Sequence, residues 1–197
     1  MISLALNKTF SYGKVTQTAD TVITRTIPPS YNAFTHITNL KYTAAGTAHT
    51  VTVMRPLAAP TTLTSAAAAS QAVINVAALA GSLAANDYLV IEKPDGTYHT
   101  GIVSSVSTLA VTLTANVPSG GFASGAKVWN LGVAADHTNL VFNGIASATT
   151  TYNDYVSSVA ATVFKEQPMI VYSNNATAAG TLENVSGGYS PSVSAVV

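Results

Sequence analysis

Residues 86–107 read NDYLVIEKPDGTYHTGIVSSVS. Two strand-like runs flank Pro94-Asp95-Gly96, a strong turn signal. Proline presets φ at the first central position, and glycine accepts the left-handed conformation. The common three-residue hairpin loop, a type I turn followed by a G1 bulge, uses all three residues. In that register Lys93 opposes Thr97, Glu92 opposes Tyr98 and Ile91 opposes His99. Because side chains alternate along a strand, Glu92 and His99 then point to opposite faces. A two-residue Asp95-Gly96 turn shifts the register by one and sets Glu92 against His99. It also draws Pro94, which has no N–H, into the ladder. The bulged turn is therefore the expectation. It makes the segment antiparallel β. It also dissolves the one dense group of ionisable residues, Asp87, Glu92, Asp95 and His99, into solvated hairpin charges, with Asp95 a turn residue and Asp87 in the turn before the strand.

Working outward, AVINVAAL, DYLVIEK, TYHTGIVSSVS, LAVTLTANV and AKVWNLG are five short strand-like runs separated by Gly, Pro, Asn and Asp turns. Such spacing reads as a small barrel or sandwich. The segment before them, LAAPTTLTSAAAASQ (57–71), is rich in Ala, Thr and Ser and reads as a linker or a short alanine-rich helix. Earlier, AFTHITNLKYTAAGTAHTVTVMRP reads as a hairpin turning near Gly46, which brings His36 and His49 onto facing strands. Ile27-Pro28-Pro29 stops a strand, since prolines do not sit in a central one. Ile2, Leu4, Leu6, Phe10 and Tyr12 share even positions, the periodicity of a strand. They read as an ordinary first strand or as a partner-contact arm that pairs with a neighbouring subunit. PMIVYS and TLENVSGGYSP are later strands. Residues 153–166 stay open between helix and strand: the apolar spacing is helical, with Asn153 or Asp154 placed to cap it, but Val, Thr and Ser are indifferent helix formers.

The composition narrows the function. There is no cysteine, hence no disulfide, thiolate metal site or Cys nucleophile. Eight basic residues are scattered without a run, which argues against nucleic acid. No stretch approaches the roughly 20 apolar residues of a membrane span, and no signal peptide is read at the start. Only 8% of residues are charged, with a net charge of +0, a surface poorly protected against self-association. A subunit covered by neighbours tolerates that composition. No Ser sits in a nucleophile elbow, no Gly-rich loop cradles phosphate, and two histidines without an acid make no metal site. Trp129, the sole tryptophan, reads as core before it reads as a sugar platform. The expectation is no enzyme, no cofactor and no metal.

AANDYLVIEKPDGTYHTGIVSSVSTLAVTLTANVPSGGFASGAKVWNLG (84–132) resembles small β modules of tailed-bacteriophage virion proteins. The matching pieces are Asp87, Gly96, Val103-Ser104-Ser105-Val106-Ser107, Val111-Thr112-Leu113-Thr114, Pro118 and Gly125-Ala126-Lys127-Val128. The flanks TAAGTAHTVTVMRP and EQPMIVYSNNATAAGT look like sandwich strands of capsid decoration (cement) proteins. The resemblance covers roughly half the chain and implies an all-β fold. Residues 1–60 and 133–197 would form a β-sandwich, with a jelly-roll as one form of it. Residues 61–132 would be an inserted small β-barrel-like module. It further implies a decoration protein assembled in the host cytoplasm onto the capsid exterior, with the major capsid protein as partner and a homo-oligomer, dimer or trimer, as its state. The alternative is a tail, fibre or host-surface adhesin component that binds glycans. The motif consists of turn and strand residues, so the resemblance transfers no functional side chain.

Overall fold

The computed structural model describes residues 8–17, 24–27, 33–44, 49–79, 82–133, 140–146, 151–154, 168–173 and 180–191. Every described element is a strand, and the fold is all-β. The chain divides into two units, Met1–Val53 with Val141–Val197, and Met54–Leu140.

In the second unit the strands are β6 (Thr61–Thr62), β7 (Val73–Asn75), β8 (Tyr88–Glu92), β9 (Tyr98–Ser107), β10 (Ala110–Leu113) and β11 (Lys127–Gly132). They form an antiparallel sheet of order β6-β11-β8-β9-β10-β7. Its two ends meet. Leu63 bridges Val76, and the bridge is flanked by Thr64 N–H donating to Asn75 C=O at 2.9 Å and Ala77 N–H to Thr62 C=O at 2.8 Å. The six strands thus close into a small barrel, and closure removes the exposed edges that an open sheet would offer.

The interior follows from alternation. Leu63, Ile74, Val76, Leu89, Ile91, Val103, Val111, Leu113 and Val128 are buried in one cluster, joined by Ala67, Val117, Phe122 and Ala126. Burying each large aliphatic side chain contributes about 1.5–3 kcal/mol. The period of two breaks once. The register between β9 and β10 shifts at Thr112/Leu113, where Thr112 faces Ser105 but Leu113 faces Val103. Ser104 is the extra residue of a β-bulge, so both Val103 and Val106 pack toward the core.

Residues 57–71 are neither a linker nor a helix. Thr61–Thr62 is a barrel strand, and Ala67 bridges Phe122. The sequence concealed this because an alanine-rich run signals helix by propensity. Here Leu63 and Ala67 face the core, and backbone partners on three other segments satisfy the chain.

The first unit carries β1 (Lys8–Tyr12), β2 (Val15–Gln17), β3 (Thr24–Ile27), β4 (Ala33–Ala44), β5 (His49–Met54), β12 (Leu140–Ala146), β13 (Thr151–Asp154), β14 (Met169–Ser173) and β15 (Gly180–Pro191). One sheet has the order β1-β15-β4-β13, with β2 also on β15; the other runs β12-β5-β14-β3. These are the two sheets of a β-sandwich. Leu40, Tyr42, Ala44, Leu182 and Val185 are buried on the first, and Val53 and Ile170 on the second. The hairpin expected over 33–56 does not form. Strand β4 pairs with β13 and β15, whereas β5 lies between β12 and β14 in the other sheet. A short Gly-containing link between two alternating runs fits an arch between sheets as well as a hairpin within one. His36 and His49 therefore belong to different sheets. At 153–166, Asn153 and Asp154 end β13, paired with Lys41 and Leu40; residues 155–166 lie outside the described residues.

Candidate functional site

The hairpin adopts the bulged register. Gly96 N–H donates to Lys93 C=O at 3.0 Å, Lys93 N–H donates to Thr97 C=O at 2.8 Å, and Gly96 has φ +76°. Glu92 pairs with Tyr98 and Ile91 with His99. The four ionisable residues go to four different places.

Asp95 stays in solvent at the turn. One carboxylate oxygen accepts the Thr97 hydroxyl at 2.6 Å and the Thr97 N–H at 2.9 Å; the other accepts Lys93 Nζ at 3.2 Å. The Thr97 hydroxyl above all, then its N–H and the Lys93 ammonium, lower the Asp95 pKa to about 2. Glu92 faces outward, and its carboxylate accepts Lys127 N–H at 3.4 Å. His99 faces the barrel interior, its ring 5.7 Å from that of Phe122. Burial foremost, and the Lys93 charge second, lower its pKa. Tyr98, on the outer face, has its pKa raised by burial first and by Glu92 second.

Asp87, like the inward His99, departs from the expectation of a solvated hairpin charge. It is only 6% exposed. Its carboxylate accepts Ala84 N–H at 2.9 Å and Asn130 Nδ2–H at 3.0 Å, while Asn130 Oδ1 accepts Gly132 N–H at 2.8 Å. A buried polar group must be partnered, and this network ties the turn before β8 to the end of β11. The sequence showed the turn but not Asn130. In this network the Asp87 carboxylate and the Asn130 amide oxygen each meet a backbone or amide donor.

Trp129 is 1% exposed, 6.0 Å from the Tyr98 ring, and its indole N–H has no hydrogen-bond partner among the described residues. It is packed rather than displayed. Of the arm residues, Phe10 and Tyr12 lie on β1, which pairs within the chain to β15, Phe10 opposite Gly187 and Tyr12 opposite Val185. Ile2, Leu4 and Leu6 lie outside the described residues. Among the described residues no group of three His, Asp or Glu is placed to hold a metal ion.

No family model matches the chain, and no curated protein matches it. Among solved structures it is similar to VP17, a capsid protein of bacteriophage P23-77, at 8% identity and a TM-score of 0.20, over 92% of this chain and 99% of that one. A likeness of that strength carries no structural argument.

Proposed function

We propose that the chain is a virion structural protein that decorates and stabilises a bacteriophage capsid from outside, binding the major capsid protein across capsomer boundaries as a homo-oligomer without cofactor or catalysis. The observation that carries the reading is the resemblance of residues 84–132 to phage virion β modules. Those residues are β8 to β11 of the barrel. The chemistry of the stretch supports a scaffold: its ionisable groups serve a turn, a strand face, the barrel interior and a buried cap rather than one site. Few charges on the whole chain suit a protein held among neighbours. In the adhesin alternative the obvious sugar platform is Trp129, and its burial weighs against that use.

The test is cosedimentation of purified protein with capsids stripped of it. Saturable binding is the expected result. Absence of binding, together with selective hits on a glycan array, would overturn the proposal in favour of an adhesin. The arm is tested by a cut after residue 7, because residues 8–12 form β1 and a longer deletion removes a sheet strand. The shortened chain should keep its β fold and lose capsid affinity.

A further inference from the structure

Two paired segments, 66–71 and 117–122, close the barrel near Phe122. Ala67 N–H donates to Phe122 C=O at 3.0 Å and Phe122 N–H to Ala67 C=O at 2.9 Å. Ser70 N–H donates to Val117 C=O at 3.0 Å, and Val117 N–H to Gln71 C=O at 2.7 Å. The closure seats the Phe122 ring, 2% exposed, in the barrel core. Against that ring stands His99. Its cross-strand partner Ile91 is a core residue, so His99 faces inward as well. The two rings lie 5.7 Å apart at an interplanar angle of 42°. At Gly101, the next inward position of β9, a Cβ would sit 3.4 Å from Leu113 Cδ2 and 3.9 Å from His99 Cδ2. The imidazole is thus set among apolar neighbours, on the inner side of the segment that closes the barrel.

Among the described residues no carboxylate is placed to pair with a proton on that ring. The chain has no Asp, Glu, Lys, Arg or His from Pro56 to Asn86 or from Thr100 to Ala126, so β10 and both closing segments carry none. On β8, Glu92 faces outward onto Lys127 N–H, and before it Asp87 is bound to Ala84 N–H and Asn130. At the turn Asp95 is taken up by Lys93 and Thr97. Tyr98 lies on the outer face beside Trp129, and Lys127 stands exposed at the start of β11. The charge that acts on His99 is that of Lys93, the same sign as an imidazolium. We propose that the Ala67–Phe122 closure is a pH-sensitive latch: neutral His99 seats Phe122, and protonation of His99 releases segments 66–71 and 117–122 while the barrel strands stay paired. A cation is attracted to an aromatic face, which works against release. Burial and the Lys93 charge act the other way and outweigh it, since they lower the His99 pKa in the folded chain. A lowered pKa means that the closed form prefers the neutral ring, so acid favours opening. The latch is a property of the barrel and stands apart from the capsid role.

The experiment is hydrogen exchange of the full chain, resolved by amide, at about pH 8 and about pH 5, between which histidine changes charge. Protection is taken relative to the intrinsic exchange rate at each pH. In the wild type the Ala67 and Phe122 amides should lose protection by about tenfold or more at the acid end. Val103, a β9 residue whose N–H donates to Asp87 C=O, should keep its own. His99→Gln and His99→Phe cannot take up the proton, and in each the Ala67 and Phe122 protection should be the same at both pH values. Unchanged protection of these two amides in the wild type would overturn the proposal. So would an equal loss in the His99 variants, which would remove His99 as the cause. A loss of the same size at Val103 would also overturn it, because the opening would then be that of the whole barrel.

Discussion

At the scale of single residues, Asp87 is a buried cap and Thr108 holds a turn of the barrel at φ +55°. Replacing Asp87 with Ala removes the acceptor of the Ala84 N–H and one acceptor of the Asn130 amide. An unsatisfied buried group costs about 1–3 kcal/mol, so urea unfolding of Asp87→Ala should show a lowered midpoint with an unchanged slope. Thr108→Asn should shift the midpoint the other way, by about 1 kcal/mol or less, because Asn tolerates the left-handed region. Asp95 reports on the turn: Thr97→Val removes the hydroxyl that most lowers its pKa, and an NMR titration should show that pKa rising from about 2 toward 3.8. His99 works in the opposite sense. Its folded pKa lies below the ordinary 6.5, so the unfolded chain takes up the proton first. The stability it permits is complete above pH 6.5 and is lost as pH falls from there through the folded pKa. Melting temperature should therefore fall more on acidification in the wild type than in His99→Phe. That Glu92 and His99 point to opposite faces was legible from turn chemistry alone; that His99 is the inward one was not. The burial of Asp87 was not, because its partner is 43 positions away.

At the scale of elements, local signals were readable and pairing over distance was not. Pro94-Asp95-Gly96 fixes the β8–β9 register through bonds within the turn itself. The five barrel runs were visible for a similar reason, each bounded by its own turn residues. The sixth strand was missed because Thr61–Thr62 is too short for a period, and its place follows from contacts with Lys127, Val128 and the Leu63–Val76 bridge. The false hairpin over β4 and β5 has the same origin: alternation tells which face is buried but not which strand lies alongside. The loop closing the barrel near Phe122 provides a test. Gly121 has φ +65°, and a Cβ there would sit 2.7 Å from Ala67 C=O. Gly121→Ala should destabilise by more than about 1 kcal/mol. Hydrogen exchange should place the new opening at Ala67 and Phe122, whose N–H groups each donate to the other's carbonyl.

At the scale of the whole molecule, the proposed role is one of surfaces. The charges of the chain are few, 8% of the residues. All-β architecture was legible in composition and turn spacing. The proposed function rests on the resemblance of 84–132, because a chain rich in Thr, Ser, Ala and Val carries no chemical signature of a partner. The most direct measurement is the melting temperature of stripped capsids titrated with purified protein. The account predicts a rise that saturates at a fixed number of chains per capsid. A capsid whose melting temperature stays the same at every protein concentration would contradict it.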